Sequence, residues 1–185
     1  GIKSIDNLRK AIQEGKISST HHINIGLKYY EDLKNRIPRQ EITLMKKILD
    51  KEIKSINKNL IFDICGSYRR GLKTSGDIDV LISNPQYISN IEKEKFLERI
   101  VKKLKEVGFI LDSLTSDGAK KYMGVCKLKT SKYGRRIDIR CVNYSAFYSA
   151  LIYFTGSKNF NLLMRKKAIE LGYSLSEYSL KEKKS

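Results

Sequence analysis

The sequence predicts an α+β fold: a central sheet with flanking helices, a helical module before it and a smaller helical piece after it. Apolar residues recur at helical spacing through residues 1–56. The period then shortens to two in 77–83 and 136–142, after a short apolar run at 60–65. Single helical stripes interrupt these strands, which is the pattern of an α+β sheet domain.

Taking the elements in order, Ile5, Leu8 and Ile12 share one helical face behind a Ser4 cap. Residues 15–20 are small and polar and read as a turn. Ile25, Leu27, Tyr29, Tyr30 and Leu33 predict a second short helix. Pro38 sits where a new helix starts, and Ile42, Met45, Leu49, Ile53 and Ile56 carry its stripe. Residues 60–65 predict a buried strand ended by a Gly66-Ser67 turn, and 77–83 a second strand. Leu97, Ile100, Leu104 and Val107 predict a helix stopped by Gly108. Residues 109–111 and 122–128 predict strands joined by a short polar loop, and 136–142 another strand. Helices over 145–154 and 157–171 follow, divided by Thr155-Gly156; 173–180 reads as one last strand before a charged tail.

Lys and Arg number 37 against 20 Asp and Glu, a formal net charge of +17. Such a field attracts polyanions, and nucleic acid is the first candidate because neutralising phosphates releases counterions. AT-rich codon usage, which inflates Lys, Ile and Asn together, is the bland alternative. Apolar residues make up 41% of the chain, enough for a core, and no stretch approaches the roughly 20 apolar residues that span a bilayer. No signal-peptide pattern opens the chain. Charged residues at 31% argue for a protein that stays in water. Cys65, Cys126 and Cys141 have neither C-x-x-C nor zinc spacing and read as core side chains in a reducing, intracellular compartment. His21 and His22 read as solvated or capping residues.

The chemistry concentrates in Gly66-Ser67-Tyr68-Arg69-Arg70-Gly71 followed by Ser75-Gly76-Asp77-Ile78-Asp79. Residues two apart on a strand share a face, so Asp77 and Asp79 project together. Ile78, Val80, Leu81 and Ile82 mark that strand as buried, and paired carboxylates there call for a cation. Mg²⁺ fits, with Mn²⁺ as a substitute, because it takes carboxylate oxygens and leaves room for water and phosphates. Asp138 recurs in the alternating Arg135-Arg136-Ile137-Asp138-Ile139-Arg140. On neighbouring strands the three carboxylates form a minimum set for two bridged ions about 3.5–4 Å apart, one acidifying a 3′-hydroxyl and one holding a triphosphate. At the Gly66-Ser67 turn the backbone N–H groups, the Ser67 hydroxyl and the Arg70 guanidinium suit phosphate oxygens.

These motifs resemble the nucleotidyltransferase superfamily and, within it, DNA polymerase family X, in its beta and lambda type. Residues 66–71 with 76–81, and 135–140, resemble its two palm motifs. Tyr153-Phe154-Thr155-Gly156-Ser157, with Phe160-Asn161 and Met164-Arg165, resembles the nucleotide-binding thumb motif. Leu27-Lys28-Tyr29-Tyr30 and Arg36-Ile37-Pro38-Arg39 resemble the end of the helix-hairpin-helix region and its junction to the palm. The resemblance implies a partial helix-hairpin-helix module at 1–37, a palm at 38–143 and an incomplete thumb at 144–185. It implies a template-directed DNA polymerase acting on gapped or primer-template DNA with deoxynucleoside triphosphates, in DNA repair such as base excision repair. A monomer is expected, in a nucleus or at a viral replication site.

Carried over by residue, Asp77 and Asp79 would bind both metals and Asp138 the catalytic one. Gly66, Ser67, Arg70, Ser75, Gly76 and Arg36 would hold the triphosphate. Tyr153 and Phe154 would line the sugar and disfavour a 2′-hydroxyl, in a turn with Gly156 whose Gly-Ser peptide is cis in the family. Asn161 would bond the incoming base. Arg165 would monitor the template strand, Lys28 would contact DNA, and Arg136 and Arg140 would pair with the aspartates in different states. Tyr68 and Arg69 are left as structural. Tyr153, Phe154, Phe160 and Met164 have an alternative as plain core at helical spacing.

Lys158 stands where the beta type has Asp. The resemblance implies that these residues open inside the helix-hairpin-helix module after the glycine hairpin that clamps DNA backbone, do not include the lyase domain, and stop short of a full thumb, so no lyase activity is expected of them. The short link from Asp112 to Lys121 and the absence of Gly-Trp at Tyr153-Phe154 favour templated over template-independent synthesis. The competing readings are a template-independent or RNA-tailing nucleotidyltransferase and a catalytically silent DNA-binding module.

Overall fold

The computed structural model describes residues 1–86, 90–116 and 119–183. Helix α1 (Ile5–Gln13) starts at Ser4, whose hydroxyl accepts the Asn7 N–H at 3.1 Å. Helix α2 (His21–Lys28) starts at Thr20, whose hydroxyl accepts from Ile23 at 3.3 Å. Tyr29 breaks the single helix expected here, and α3 (Tyr30–Leu33) follows it. Tyr29 is held out of helical continuity because its ring is buried against Val125 and its hydroxyl donates to Asp112. His21 and His22 are exposed, in line with the solvated reading, and His21 Nε2 also lies 2.6 Å from the Ser113 carbonyl.

Strand β1 (Ile37–Pro38) precedes α4 (Arg39–Ile56), which buries Ile42, Met45, Leu49 and Ile53 at the predicted spacing. Strand β2 (Ile61–Ile64) leads into a single helical turn, α5 (Gly66–Arg69), where an open turn was expected. Gly66 enters it at φ 61°, a conformation that glycine takes without a Cβ penalty. Strand β3 (Thr74–Ser75), which the sequence did not announce, pairs antiparallel with β1. The rest of the domain is β4 (Ile78–Ser83), α6 (Asn90–Glu106), β5 (Ile110–Ser113), β6 (Lys121–Cys126) and β7 (Arg135–Cys141). Then come α7 (Tyr144–Thr155), α8 (Lys158–Glu170) and a hairpin of β8 (Tyr173–Leu175) and β9 (Leu180–Glu182), where one strand was expected. The link between β5 and β6 includes residues 117–118, and the end of the charged tail is 184–185; both lie outside the described residues.

The main sheet has the order β2-β4-β7-β6-β5, with β4 and β7 parallel and the other neighbours antiparallel. One face carries Ile64, Val80, Ile82, Ile137 and Ile139 against α4 and α6, forming the main core. The other face carries Leu81 and Cys65 against Phe147 and Ala150 of α7. Side chains alternate along each strand, so the polar residues between those isoleucines all emerge on the α7 side. The first helices pack onto β6 through Ile25, Tyr29 and Val125. Cys65 and Cys126 are buried, Cys141 is half-buried, and no disulfide joins them. Among the described residues no helix is long and apolar enough to cross a membrane.

Candidate active site

Parallel pairing of β4 and β7 sets Asp79 directly beside Asp138, with Leu81 beside Arg140. Asp77, one residue before β4, keeps the alternation and joins them. The site is charge-dense. Arg140 Nη1 lies 2.7 Å from Asp79 Oδ1, and Arg136 Nη2 lies 2.7 Å from Asp138 Oδ1. Lys121 Nζ, on the neighbouring β6, stands 3.9 Å from Asp138 Oδ2. Arg136 also donates to the Gly124 carbonyl at 2.7 Å. Both arginines are therefore on the aspartates in the same structure, where the family pattern implied different states.

Burial first, opposed by Arg140 and reinforced by the charges of Asp138 and Asp77, pushes the Asp79 carboxyl up from 3.8 to about 6. Asp77 stands exposed at the mouth of the site, and its carboxyl is still raised, by desolvation and then by Asp138. The folded protein holds the Asp79 proton more tightly than the unfolded chain does, so its carboxylate costs stability above pH 6 and the cost disappears as pH falls toward 4. In chelator, metal-free wild type is expected to gain about 1 kcal/mol relative to Asp79→Asn between pH 7 and pH 5. Urea unfolding of both proteins at both pH values checks this; parallel pH slopes would sink the assignment. Burial and the Asp79 charge also push the neighbouring Cys65 thiol up to about 12, which leaves it inert as a nucleophile.

The phosphate-binding candidates gather beside the aspartates. Ser67 Oγ and the buried Ser75 Oγ are 2.6 Å apart. Arg36 Nε donates to Thr74 Oγ1 at 2.8 Å, and a Cβ added to Gly76 would lie 3.9 Å from Arg36 Nη1. Arg70 Nη1 donates to the Thr155 carbonyl at 2.7 Å and so ties this turn to the end of α7. There Gly156 has φ 66° and the Gly156-Ser157 peptide is cis, as the family pattern implied. A Cβ at Gly156 would meet Arg70 Nη1 at 3.4 Å, so the guanidinium uses the space that glycine leaves.

The nucleotide-side residues form a third group. Tyr153 and Phe154 meet edge to face at 4.9 Å between ring centroids. The Arg140 guanidinium lies 4.1 Å over Phe154, so one side chain touches both the aspartate cluster and this pair. Asn161 Nδ2 donates to the Tyr153 carbonyl at 2.8 Å. Arg165 lies 5.2 Å over the Tyr153 ring and 3.7 Å from Glu177. Phe160 and Met164 are exposed and therefore are not plain core. Lys28 is not brought to this site: it sits 2.9 Å from Asp112 and secures the first helices to β5.

Sequence reasoning missed Asp63 here and left Tyr68 and Arg69 as structural without naming their contacts. Asp63 Oδ2 is 3.4 Å from Arg69 Nε, and Arg69 Nη1 donates to Thr155 Oγ1 at 3.1 Å. Arg69 thus braces the same turn that Arg70 holds, which gives it a role the sequence left blank. Tyr68 lies under the Arg39 guanidinium at 4.2 Å. The only hint was position: Thr155 directly precedes Gly156, and Asp63 is the one charged residue in the 60–65 run.

The donors at Asp77, Asp79 and Asp138 are all carboxylate oxygens, the chemistry of a hard divalent cation. With guanidiniums on Asp79 and Asp138, no three acidic, His or Cys side chains among the described residues are drawn into an ion-holding group. The residues fit such ions by type, with Asp79 Oδ1 and Asp138 Oδ1 engaged by Arg140 and Arg136.

A family model described as DNA polymerase beta palm matches residues 36–144, and one described as DNA polymerase beta thumb matches 150–185. DNA polymerase lambda of Rattus norvegicus is 38% identical over 185 residues, covering 97% of this chain and 31% of that protein. DNA polymerase lambda of Arabidopsis thaliana is 34% identical over 172 residues, covering 88% and 32%. DNA polymerase IV of Saccharomyces cerevisiae is 22% identical over 232 residues, covering 85% and 40%. The chain spans 31–32% of the length of the two lambda relatives. With palm and thumb matched in order along most of its length, the chain belongs to DNA polymerase family X.

Proposed function

We propose that this chain is the catalytic portion of a template-directed DNA polymerase, which adds deoxynucleotides to a primer 3′-hydroxyl and fills gaps during DNA repair in a nucleus. The observation that carries the reading is the in-register pair Asp79–Asp138, with Asp77 at its edge, facing the nucleotide turn across Arg140 and Phe154. Residues 1–37 are read as a helical DNA-binding module, 38–143 as the palm and 144–185 as the thumb.

Asp77, Asp79 and Asp138 would hold two magnesium ions, which when bound neutralise the triphosphate and acidify the primer hydroxyl. Ser67, Ser75, Arg36 and Arg70 orient the triphosphate by charge-assisted hydrogen bonds, with the Gly66 and Gly76 backbones at close approach. Asp138 faces the primer hydroxyl and fixes its direction of attack. Tyr153 and Phe154 close the sugar subsite, where their bulk works against a 2′-hydroxyl. Asn161, held through the Tyr153 carbonyl, presents its amide to the base. Arg165 and Arg136, once freed, contact the DNA strands.

Lys158 begins α8, is exposed, and has no acidic residue in its helix's first turn. A cation at a helix N-terminus opposes the macrodipole by about 0.3–1 kcal/mol, so this lysine serves something other than stability. Lys158→Asp is therefore expected to stabilise the fold slightly and to raise the KM for deoxynucleotide several-fold. Unchanged nucleotide affinity would remove Lys158 from the substrate.

The experiment for the whole reading is primer extension on a one-nucleotide-gapped duplex with Mg²⁺ and each deoxynucleotide singly. Incorporation of the template-matched nucleotide alone supports it. Extension of single-stranded primers, or preference for ribonucleotides, would replace it with a terminal transferase or an RNA-tailing enzyme.

A further inference from the structure

Outside the active site, α4 borders two adjoining depressions. One, of ≈ 690 Å³, is lined by Pro38, Arg39, Gln40, Thr43, Leu44 and Lys73. The other, of ≈ 550 Å³, lies between Thr43, Lys46, Lys47, Asp50 and Lys54 of the helix and Ile61 and Phe62 of the edge strand β2. Each has the size of a ligand site, and they share Thr43. Together they follow α4 from Arg39 to Lys54, about 22 Å at helical rise. Their cations are Arg39, Lys46, Lys47, Lys54 and Lys73; the one acid is Asp50.

Lysines beside an exposed strand edge commonly guard it against pairing with other chains. That accounts for Lys46, 3.7 Å from Asp63, and for Lys54, whose Nζ donates to the Leu60 carbonyl at 2.8 Å. It does not account for Lys47 or Lys73, which have no acidic partner among the described residues. The Lys54 partner is a neutral carbonyl rather than an acid. The half-buried Phe62 adds an aromatic surface to the far depression, and the exposed Leu44 an apolar spot to the near one. A row of cations spaced along a groove with an aromatic face is what a single nucleic-acid strand uses, phosphates on the cations and a base against the ring.

The groove is also placed to receive such a strand. Its near end, Lys73, is two residues from Ser75 of the triphosphate cluster. The backbone of Arg39 bonds the Lys73 carbonyl at 2.9 Å, and its guanidinium bonds the Tyr68 carbonyl at 2.6 Å. Groove and nucleotide turn are therefore two sides of one rigid corner.

We propose that this groove along α4 and β2 is a second nucleic-acid contact, which holds the phosphate backbone of a single-stranded extension of the DNA engaged at the active site. The proposal rests on the polymerase reading for its substrate, but binding rather than turnover reads it out.

The test uses the whole chain and two fluorescent gapped duplexes, one blunt and one bearing a twelve-nucleotide thymidine tail. For wild type the tail is expected to tighten binding at least about tenfold at 0.1 M salt. In Lys47→Glu/Lys54→Glu/Lys73→Glu that gain should vanish, and the salt slope for the tailed duplex should fall by about two, roughly 0.7 per lost contact. Affinity for the blunt duplex should change little. Lys47→Gln/Lys73→Gln, altering two exposed side chains without partners, should show a partial loss and guards against misfolding of the triple variant. Lys95→Glu/Lys102→Glu/Lys105→Glu on α6, with the same change in net charge, should keep the tail's contribution. A tail that adds nothing to wild type, or equal losses in both triple variants, overturns the proposal. Displacement by polyglutamate but not by oligothymidine would overturn it in favour of an acidic protein partner. Failure of primer extension with the tail's effect intact would sink the catalytic reading alone.

Discussion

Asp138→Ala is expected to lose primer extension by about 10³-fold or more while still binding gapped DNA. On the proposed reading Asp138 would serve ions and primer hydroxyl together; losing such a ligand costs on the order of several kcal/mol of transition-state stabilisation, and each 1.36 kcal/mol is tenfold in rate. Stability should move the other way. Asp138 raises the carboxyls of both Asp79 and Asp77, so removing its charge relieves like-charge crowding in the metal-free protein. Arg136 loses its 2.7 Å partner but keeps the Gly124 carbonyl, also at 2.7 Å. Single-turnover extension, gapped-DNA affinity and thermal unfolding, measured on one preparation, check the three directions. A variant that retains a tenth of the wild-type rate would take Asp138 out of catalysis. A variant that loses rate and stability together would make the aspartate architectural.

Glu41→Ala is expected to destabilise the fold by about 3–5 kcal/mol, a large share of a domain's stability. Arg135 and Glu41 form a two-pronged pair, with Nη2–Oε2 at 2.6 Å and Nε–Oε1 at 3.3 Å. Their side chains are only 5% and 11% exposed, so either charge left alone is stranded away from water. Ser131 donates to the same carboxylate, and Arg135 Nη1 donates to the Asn35 carbonyl at 2.9 Å. The pair thus joins α4, β7 and the segment that leads into β1. Replacing both partners together, as Glu41→Leu/Arg135→Met, should cost far less than Glu41→Ala, because no charge remains unpaired. Guanidinium unfolding of the single and double variants measures the difference. A single-variant loss below about 1 kcal/mol would mean that water reaches Arg135 despite its burial.

Periodicity carried a good deal of this structure. The stripe Ile42, Met45, Leu49 and Ile53 is buried as its spacing required, because a helix with one apolar face has one low-energy way to lie on a sheet. The alternation Arg136, Asp138, Arg140 against Ile137 and Ile139 came through for the same reason, with period two. What failed was local and short. Tyr29 broke a helix through burial on β6, and two-residue strands such as β1 and β3 have no period to read. The final hairpin needed a pairing that a single apolar stretch cannot signal.

The candidate site divides along the same line. Asp77, Asp79, Asp138, Ser67, Arg70 and the Tyr153-to-Ser157 turn were legible from sequence because their chemistry lies in short ordered motifs. That Asp79 stands beside Asp138, that Arg140 bridges Asp79 to Phe154, and that Asp63 braces Arg69 against Thr155 were not. The contacts Asp79–Asp138, Asp79–Arg140 and Arg69–Thr155 join residues 59, 61 and 86 positions apart, and only the tertiary arrangement brings them together. The sequence by itself determined which side chains face which side of each element, because 3.6 and 2 are properties of the local backbone. The tertiary structure decided which of those faces meet, because pairing β4 with β7 in parallel register is a choice made by the burial of the whole sheet.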